Sequence, residues 1–260
     1  MADLLALSAL TIALLMLATW VLSVVIDDAS IVDIVWGLGF VAATWAAYLT
    51  ADIDTSTDRS LLMLVMVTVW GLRLTGYLAW RNIGKGEDRR YQEMRKKNPD
   101  SFWLRSLYQV FGLQAVIMWT VAVPAVVTQG SEGSLFWLDY LGAAVWLVGV
   151  FFETIGDFQL ASFKSRPESK GKVMDRGLWR YTRHPNYFGD FCVWWGIYLV
   201  AAAGGAWWAV FSPIVMSVLL MRYSGVGLLE KTITRRRPEY EEYIRTTNAF
   251  FPGPPKPQGR

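Results

Sequence analysis

The chain has 260 residues, of which 53% are hydrophobic, with a mean hydropathy of +0.29 and a formal net charge of +3. Its single cysteine, Cys192, and its single histidine, His184, exclude an intramolecular disulfide and a thiolate metal cluster. They also give no support to a histidine-based metal centre or a Ser-His-Asp triad, so no metal ion is expected. Neither glycine-rich nucleotide-binding motif, G-x-G-x-x-G or G-x-x-x-x-G-K-[ST], occurs in the sequence.

Long apolar segments dominate the sequence. Several run for about 20 residues with at most one or two charges, which is enough to cross a hydrocarbon core roughly 30 Å thick. We predict an all-α polytopic membrane protein with seven transmembrane helices in a single domain, 1–260, ending in a flexible tail at 251–260. The predicted spans are 4–26, 31–51, 60–80, 103–128, 136–157, 185–204 and 206–223.

The positions of Lys and Arg predict the orientation of the chain. Three basic regions, 81–105, 164–183 and 231–260, would flank one membrane face, whereas Arg59 falls in a predicted loop on the opposite face. Seven spans then place the N-terminus outside and the C-terminus in the cytoplasm, as in a bacterial inner-membrane protein. The acidic residues at 27 and 28, in the first predicted inner loop, run against this charge pattern.

Ionisable side chains inside the predicted spans are the main functional signal, because each costs roughly 2.5–3.5 kcal/mol at the centre of a membrane helix. Most fall in the half of the membrane assigned to the cytoplasm, which predicts one polar cavity that is open to the cytoplasm. The alternative is a set of interhelical salt bridges that only hold the helices together. These residues are Asp33, Arg73, Glu153, Asp157, Asp190 and Arg222, with Tyr77 and Asn186 as polar neighbours.

A short basic loop, 164–183, leads into His184-Pro185-Asn186-Tyr187. Pro185 has the fixed φ that suits the first turn of a helix, so the sixth span is predicted to begin there. A helix N-terminus offers free N–H groups and a positive dipole end, which together with Lys and Arg side chains favour phosphate binding. The alternative is that the loop follows the positive-inside rule and contacts anionic headgroups, the role expected of Lys170 and Lys172.

The segment 177–190, Gly-Leu-Trp-Arg-Tyr-Thr-Arg-His-Pro-Asn-Tyr-Phe-Gly-Asp, resembles the C-terminal signature of the steroid 5α-reductase-like superfamily. The similarity is greatest to its uncharacterised bacterial and plant branch, and sterol reductases share the same R-H-x-N-Y-x-G-[DE] pattern. Further matches, such as Glu153-x-x-x-Asp157 and Arg237-Pro238-Glu239-Tyr240, extend the resemblance over nearly the whole chain. It implies a seven-helix enzyme that reduces an activated C=C bond with NADPH in a cavity facing the cytoplasm.

The resemblance also implies roles for individual residues. It indicates that 1–128 holds a lipid substrate and that 129–250 holds the cofactor. The residues that match the cofactor-binding segment and its partners are Asp157, Lys164, Tyr181, Arg183, His184, Asn186, Tyr187, Asp190 and Arg222.

For catalysis we expect Tyr77 or Arg73, assisted by Asp33, to polarise a carbonyl that is conjugated with the C=C bond. The pattern departs here from that of steroid 5α-reductases, which carry a Gln-Glu pair in the second helix and a catalytic tyrosine in the third. In this chain Asp33 is followed by Trp36-Gly37, and Trp70 stands at the nearest third-helix position. The resemblance therefore implies a lipid-like or steroid-like substrate without fixing which one.

Two other classes of protein remain open. Membrane methyltransferases of the isoprenylcysteine and phospholipid type, which use S-adenosylmethionine, resemble the chain at Arg183-His184-Pro185 and carry an acidic residue such as Glu230 in the C-terminal helix. The pair Asn186 and Asp190 favours the reductase. A non-catalytic lipid-binding or scaffold protein is the third class. Membrane lipids and a lipid-like small molecule are the expected partners, and nucleic acid is not.

Overall fold

The computed structural model describes residues 1–51, 58–223 and 240–256. Regular structure within these ranges is entirely helical, as predicted, and contains no strand. The α-helices are α1 Ala2–Val25, α2 Ile31–Thr50, α3 Asp58–Asn82, α4 Arg89–Lys97, α5 Phe102–Ser106, α6 Leu113–Val127, α7 Trp137–Ser165, α8 Pro185–Ala203, α9 Phe211–Val218 and α10 Tyr240–Thr246. Two π-helical segments, Leu107–Gly112 and Leu219–Tyr223, follow α5 and α9.

Five helical stretches are long and apolar enough to cross a membrane, and they coincide with the first five predicted spans. The fifth runs to Ser165, well beyond the predicted end at 157. The helix α8 coincides with the sixth predicted span, and Trp207–Arg222 is a shorter apolar helix at the position of the seventh. The number of seven spans and their orientation remain predictions. The five stretches are Ala2–Val25, Ile31–Thr50, Asp58–Asn82, Phe102–Gly130 and Trp137–Ser165.

The chain forms two compact units. The first comprises Met1–Tyr140 and Ile197–Ser212, and the second comprises Leu141–Gly196 and Pro213–Arg260. The predicted site residues divide between them, with the three catalytic candidates in the first unit and the cofactor candidates in the second. Each unit is therefore described by itself.

In the first unit, α2 and α3 approach closely at two glycines. A Cβ atom on Gly37 would lie against the carbonyl oxygen of Gly71, and one on Gly71 would lie 2.7 Å from the carbonyl oxygen of Gly37. Gly37 also faces Thr75, whereas Val41 faces Gly71, so the two helices run antiparallel. The first turn of α2, which carries Asp33, consequently lies beside the C-terminal half of α3.

A buried ion pair binds the N-terminal end of α3 to the start of α7. Arg59, in its first turn, is 2% exposed and donates to both carboxylate oxygens of Asp139 at 2.8 and 3.1 Å. Its remaining N–H groups donate to the carbonyl oxygens of Glu132 and Ser134, each at 2.8 Å. Arg59 therefore lies inside a helix and not in a loop, and its charge is neutralised by partners that hydropathy does not reveal.

In the second unit, α7 and α8 also meet at glycines. A Cβ atom on Gly149 would lie 2.6 Å from both the Gly189 carbonyl oxygen and the Val193 nitrogen, and one on Gly189 would lie 2.5 Å from the Glu153 nitrogen. Only glycine permits this approach of the two backbones. It brings the carboxylates of α7 next to the first turns of α8.

Candidate functional site

One face of α7 carries a line of residues at helical spacing: Glu153, Asp157, Leu160 and Lys164. Steps of four, three and four residues keep these side chains on the same side of a helix. The two carboxylates are 4% and 5% exposed. A carboxylate that is this deeply buried is tolerated only when it is paired or hydrogen-bonded. The partners of these two carboxylates therefore define the centre of the candidate site.

Asp157 is bonded to the first turn of α8. The Asn186 Nδ2 donates to Asp157 Oδ1 at 3.2 Å, and the Asn186 Oδ1 accepts the backbone N–H of Tyr187 at 3.1 Å. Pro185 lies against Gly156, where a Cβ atom would be 3.1 Å from the Pro185 Cγ. The structure thus brings together two residues that were predicted to bind the cofactor, and a small residue at 156 permits it.

The signature also forms an aromatic pair. The rings of His184 and Tyr187 stack at 5.5 Å between centroids with an interplanar angle of 4°. His184 is 4% exposed, and its backbone N–H donates to the Thr182 Oγ1 at 3.3 Å. Asp190 follows Asn186 by one helical turn and is half-buried. Asn186, Tyr187 and Asp190 lie in the first turns of α8 and His184 directly precedes it, so four predicted cofactor residues lie at one helix terminus.

Arg183 holds the C-terminal segment of the chain. Its Nη1 donates to the carbonyl oxygens of Ile244 at 3.0 Å and Thr247 at 2.6 Å, and its backbone N–H donates to the Asn248 carbonyl oxygen at 2.9 Å. The carbonyl groups at a helix C-terminus have no partner within the helix, and Arg183 satisfies them at the end of α10. The structure assigns it this anchoring role; its contact with a cofactor remains a prediction.

The neighbouring residues of the signature are held in the same way. The Thr182 Oγ1 donates to the Phe250 carbonyl oxygen at 2.7 Å, and the Gly253 N–H donates to the Tyr181 carbonyl oxygen at 3.1 Å. The Trp179 Nε1 donates to the Gly156 carbonyl oxygen at 3.0 Å, which joins the loop to α7. The Tyr181 side chain remains 47% exposed and thus accessible to a ligand.

A cavity of about 410 Å³ opens at the C-terminal end of α7. Leu160 and Phe163 give it an apolar wall, while Lys164, Arg166 and Lys170 bring three cations to its lining. None of the described residues that line it is acidic. A concave surface lined by one sign of charge concentrates ligands of the opposite sign, so this cavity is suited to an anionic group.

The basic residues near the end of α7 differ in whether they line this cavity, although Lys170 and Lys172 were predicted to have the same role. Lys164, which was predicted to bind the cofactor, and Lys170, which was assigned to headgroups, both line it. Lys172 lies outside the lining residues. Arg222 is exposed in the π-helix Leu219–Tyr223 and is not a lining residue either. Glu230, on which the methyltransferase alternative drew, lies outside the described residues.

A second polar cluster lies in the first unit, around Asp33. The Arg90 Nη2 donates to one carboxylate oxygen at 2.6 Å and the Tyr91 hydroxyl donates to the other at 2.9 Å. The Gln114 Nε2 donates in turn to the Tyr91 hydroxyl at 3.3 Å. Burial and the negative charge of Asp33 raise the pKa of the Tyr91 phenol, so Tyr91 keeps its proton and acts as the donor.

The short helix α4 is fastened to the α1–α2 turn by a further set of ion pairs. Arg95 binds Glu87 at 2.8 Å and Asp27 at 2.5 Å, and Glu87 accepts the backbone N–H of Ala29 at 2.9 Å. Asp88 caps α4 by accepting the Arg90 N–H at 2.9 Å. Of the two acidic residues that run against the predicted charge pattern, Asp27 therefore binds a cation of α4, and Asp28 accepts hydrogen bonds from Ser30.

The other two catalytic candidates form a stack on α3. The guanidinium groups of Arg73 and Arg81 each lie 5.5 Å from the centroid of the Tyr77 ring. Spacing of four residues places the three side chains on one face of the helix. The structure thus places Arg73 against the ring of Tyr77. Asp33 is instead bound by Arg90 and Tyr91 of α4.

Sequence reasoning missed Tyr91, Arg90, Arg166 and Lys170. The first two follow Asp88, an N-cap signal that would have identified α4 as a helix with an inward face. The last two flank Pro167–Ser169, a 3₁₀ turn that bends the chain back over the end of α7. No local signal in the sequence shows that this turn encloses a cavity.

The described residues thus form an all-helical fold with five helices that are long and apolar enough to cross a membrane, and with two buried carboxylates on α7. The chain belongs to the family described as "protein of unknown function (DUF1295)", whose model matches residues 19–247. The Uncharacterized protein C594.04c of Schizosaccharomyces pombe is 23% identical over 262 residues, an alignment that covers 90% of this chain and 75% of that protein. No solved structure matches the chain.

Proposed function

We propose that the protein is an NADPH-dependent membrane reductase that acts on an activated C=C bond of a lipid-like or steroid-like substrate, with its cofactor bound by the second unit. The resemblance of residues 177–190 to the steroid 5α-reductase-like superfamily supports this class. The observation that carries the proposal is the cationic cavity at the end of the α7 face that also bears buried Asp157.

The two ends of this face suit different parts of one ligand. Asp157 and Asn186 offer a carboxylate and an amide, which bind hydroxyl and carboxamide groups. Lys164, Arg166 and Lys170 offer cations, which bind phosphate oxygens. Seven residues separate Asp157 from Lys164, which is roughly 10 Å along a helix axis. A ligand with neutral donors at one end and phosphates about a nucleotide's length away fits this arrangement.

The three cations of the cavity favour NADPH over S-adenosylmethionine. S-adenosylmethionine contains no phosphate and carries a positively charged sulfonium, so its single carboxylate would neutralise only one of the three cations at 164, 166 and 170. NADPH carries a pyrophosphate and a 2′-phosphate, which would satisfy them. The buried carboxylates alone do not separate the two ligands, because both contain hydroxyl groups that donate to a carboxylate.

When bound, NADPH would supply the hydride for the reduction. The residues of this chain would then orient the cofactor and stabilise the charge that develops on the substrate. The Asn186–Asp157 pair fixes the start of α8, and His184 and Tyr187 brace that turn by stacking. On α3, the Tyr77 hydroxyl group, whose ring lies between two guanidinium groups, is suited to hydrogen-bond an oxygen as it becomes negative.

The test is a ligand titration of the purified full chain in detergent, followed by thermal unfolding. A ligand at 100 times its Kd stabilises the folded state by about 2.7 kcal/mol. We expect NADPH to raise the unfolding midpoint at lower concentration than NADH, and S-adenosylmethionine to leave it unchanged. Stabilisation by S-adenosylmethionine alone would replace the reductase with the methyltransferase. A response to neither would favour a non-catalytic lipid-binding protein.

A further inference from the structure

The outward face of α4 differs from its inward face. The inward residues bind α2 and the α1–α2 turn, as described above. The outward face carries Arg89, Lys96 and Lys97, which are exposed. Arg89 pairs with Glu93 at 2.7 Å, whereas within the described chain neither lysine forms an ion pair. Two neighbouring cations are therefore presented at the C-terminal end of α4.

The position of α4 keeps these lysines near a membrane surface. The helix lies between Asn82, where one candidate span ends, and Phe102, where another begins. The links 83–88 and 98–101 are short, and each residue reaches at most about 3.6 Å. The ion pairs of Arg90 and Arg95 with the α1–α2 region fasten α4 further to the ends of the spans.

Exposed aromatic and aliphatic side chains surround this helix. Trp80 and Ile83 precede α4 and are 70% and 71% exposed, and Trp103 and Leu104 follow it at 51% and 47%. Tryptophan at the ends of membrane helices lies at the headgroup level, with its ring at the boundary of the hydrocarbon. A cationic helix face next to such side chains is typical of a segment that lies in the membrane interface.

We propose that the outward face of α4, through Lys96 and Lys97, binds the headgroups of anionic phospholipids, with Trp80 and Trp103 at the boundary of the acyl chains. Charge complementarity identifies the partner, since basic side chains outnumber acidic ones in the segment 81–105. A zwitterionic headgroup would not neutralise the two lysines. This lipid site is independent of the proposed cofactor, to which no residue of α4 is assigned.

The experiment compares the wild-type chain with K96Q/K97Q in zwitterionic detergent, titrated with short-chain phosphatidylglycerol or phosphatidylcholine and followed by the thermal unfolding midpoint. Each cation near an anionic surface contributes roughly fivefold in affinity. We expect the double variant to weaken the apparent affinity for phosphatidylglycerol roughly 25-fold, to respond to phosphatidylcholine as wild type does, and to bind NADPH unchanged. Salt at 0.5 M should reduce the difference between the two lipids.

K256Q, which removes an exposed lysine of the second unit, is the matched control and should keep wild-type lipid affinity. Equal stabilisation of the wild-type chain by the two lipids would overturn the proposal. So would a double variant whose affinity for phosphatidylglycerol stays within twofold of wild type, or an equal loss in K256Q. Because the readout is lipid affinity, these outcomes do not depend on whether NADPH binds.

Discussion

Asn186 donates a hydrogen bond to Asp157 across 3.2 Å, and this contact joins the start of α8 to the buried face of α7. Asp157 is 5% exposed, so its charge depends on such partners. The contact lies one helical turn from the wall of the cationic cavity, at Leu160. The Asp157–Asn186 pair and Lys164 therefore lie along one face of α7, within two helical turns of each other.

The first prediction concerns this pair. Asp157→Ala and Asn186→Ala should each weaken NADPH binding by about 1.5–3 kcal/mol, the scale of a hydrogen bond to a charged group. The measurement is NADPH titration of detergent-purified variants, with size-exclusion chromatography to confirm a monodisperse protein. Phe158→Ala, which changes a 69% exposed neighbour on α7, should leave NADPH affinity unchanged.

Aggregation of both variants would be ambiguous, because a buried polar group that loses its hydrogen-bond partner destabilises the folded chain by about 1–3 kcal/mol, and a charged one by more. The double variant Asp157→Leu/Asn186→Leu resolves it. If that variant folds well and still binds NADPH as wild type does, the pair is structural and takes no part in the cofactor site.

The second prediction tests the crossing of α7 and α8. Gly149→Ala should lower the unfolding midpoint, since its Cβ atom would lie 2.6 Å from backbone atoms of α8 that cannot move away. Gly76→Ala is the matched control, because no atom outside the adjoining residues and backbone of its own helix lies within 4 Å of its Cβ position. Alanine is favoured over glycine within a helix by roughly 0.5–1 kcal/mol, so Gly76→Ala should be neutral or stabilising. A loss of stability in both variants would count against the close crossing.

The third prediction concerns Arg59 and Asp139. Asp139→Ala should destabilise the chain by about 3–5 kcal/mol, because it leaves a buried guanidinium without its carboxylate. Arg59→Lys should also destabilise it, since a lysine cannot bind the carboxylate and two carbonyl groups with one planar group. Thermal unfolding in detergent measures both variants. NADPH affinity at permissive temperature should stay unchanged, because neither residue belongs to the cofactor site.

The helices were largely predictable from the sequence, whereas the pairing of their charges was not. Hydropathy located α1 to α3 within a few residues, because the length of an apolar segment is a local property. The partner of Arg59 is Asp139, eighty positions away, and only tertiary packing selects it. The inward direction of Tyr91 likewise depends on how α4 folds back onto α2.

The candidate site likewise has one part that was predictable from the sequence and one part that was not. The last part of the signature, 184–190, has a local sequence pattern, and the structure places its residues together around the first turns of α8. The cavity arises from the turn after α7, which brings Lys170 back beside Lys164. A count of positive charges cannot distinguish Lys170 from Lys172, because their difference lies in which residue faces the cavity.

The fourth prediction concerns the cap of α4 and its dependence on pH. Although partial burial raises it, hydrogen bonds from the Arg90 backbone and guanidinium lower the net pKa of the Asp88 carboxyl below its ordinary value. The ionised cap is therefore present at neutral pH and is lost as the pH falls through that lowered pKa. Hydrogen exchange of α4, corrected for intrinsic rates, should accordingly rise in acid.

Asp88→Ala should produce the same fraying at neutral pH, at a cost of about 1 kcal/mol for the lost cap. Asp88→Asn is the control, because asparagine caps a helix as well as aspartate does. It should keep α4 protected at neutral pH and lose only the contribution of the charge. Equal exchange of α4 in wild type and Asp88→Ala would show that Asp88 does not hold the helix.

Two lysines of one loop offer the sharpest test of whether the cavity at the end of α7 binds the phosphates of NADPH. Lys170 lines the cavity and Lys172 does not, so replacement of each by glutamine removes the same charge from a different place. We expect Lys170→Gln to weaken NADPH binding roughly 10- to 150-fold, the equivalent of about 1.5–3 kcal/mol, and Lys172→Gln to stay within twofold of wild type. Equal losses in the two variants that disappear together in high salt, or no loss in either, would contradict a phosphate site in this cavity.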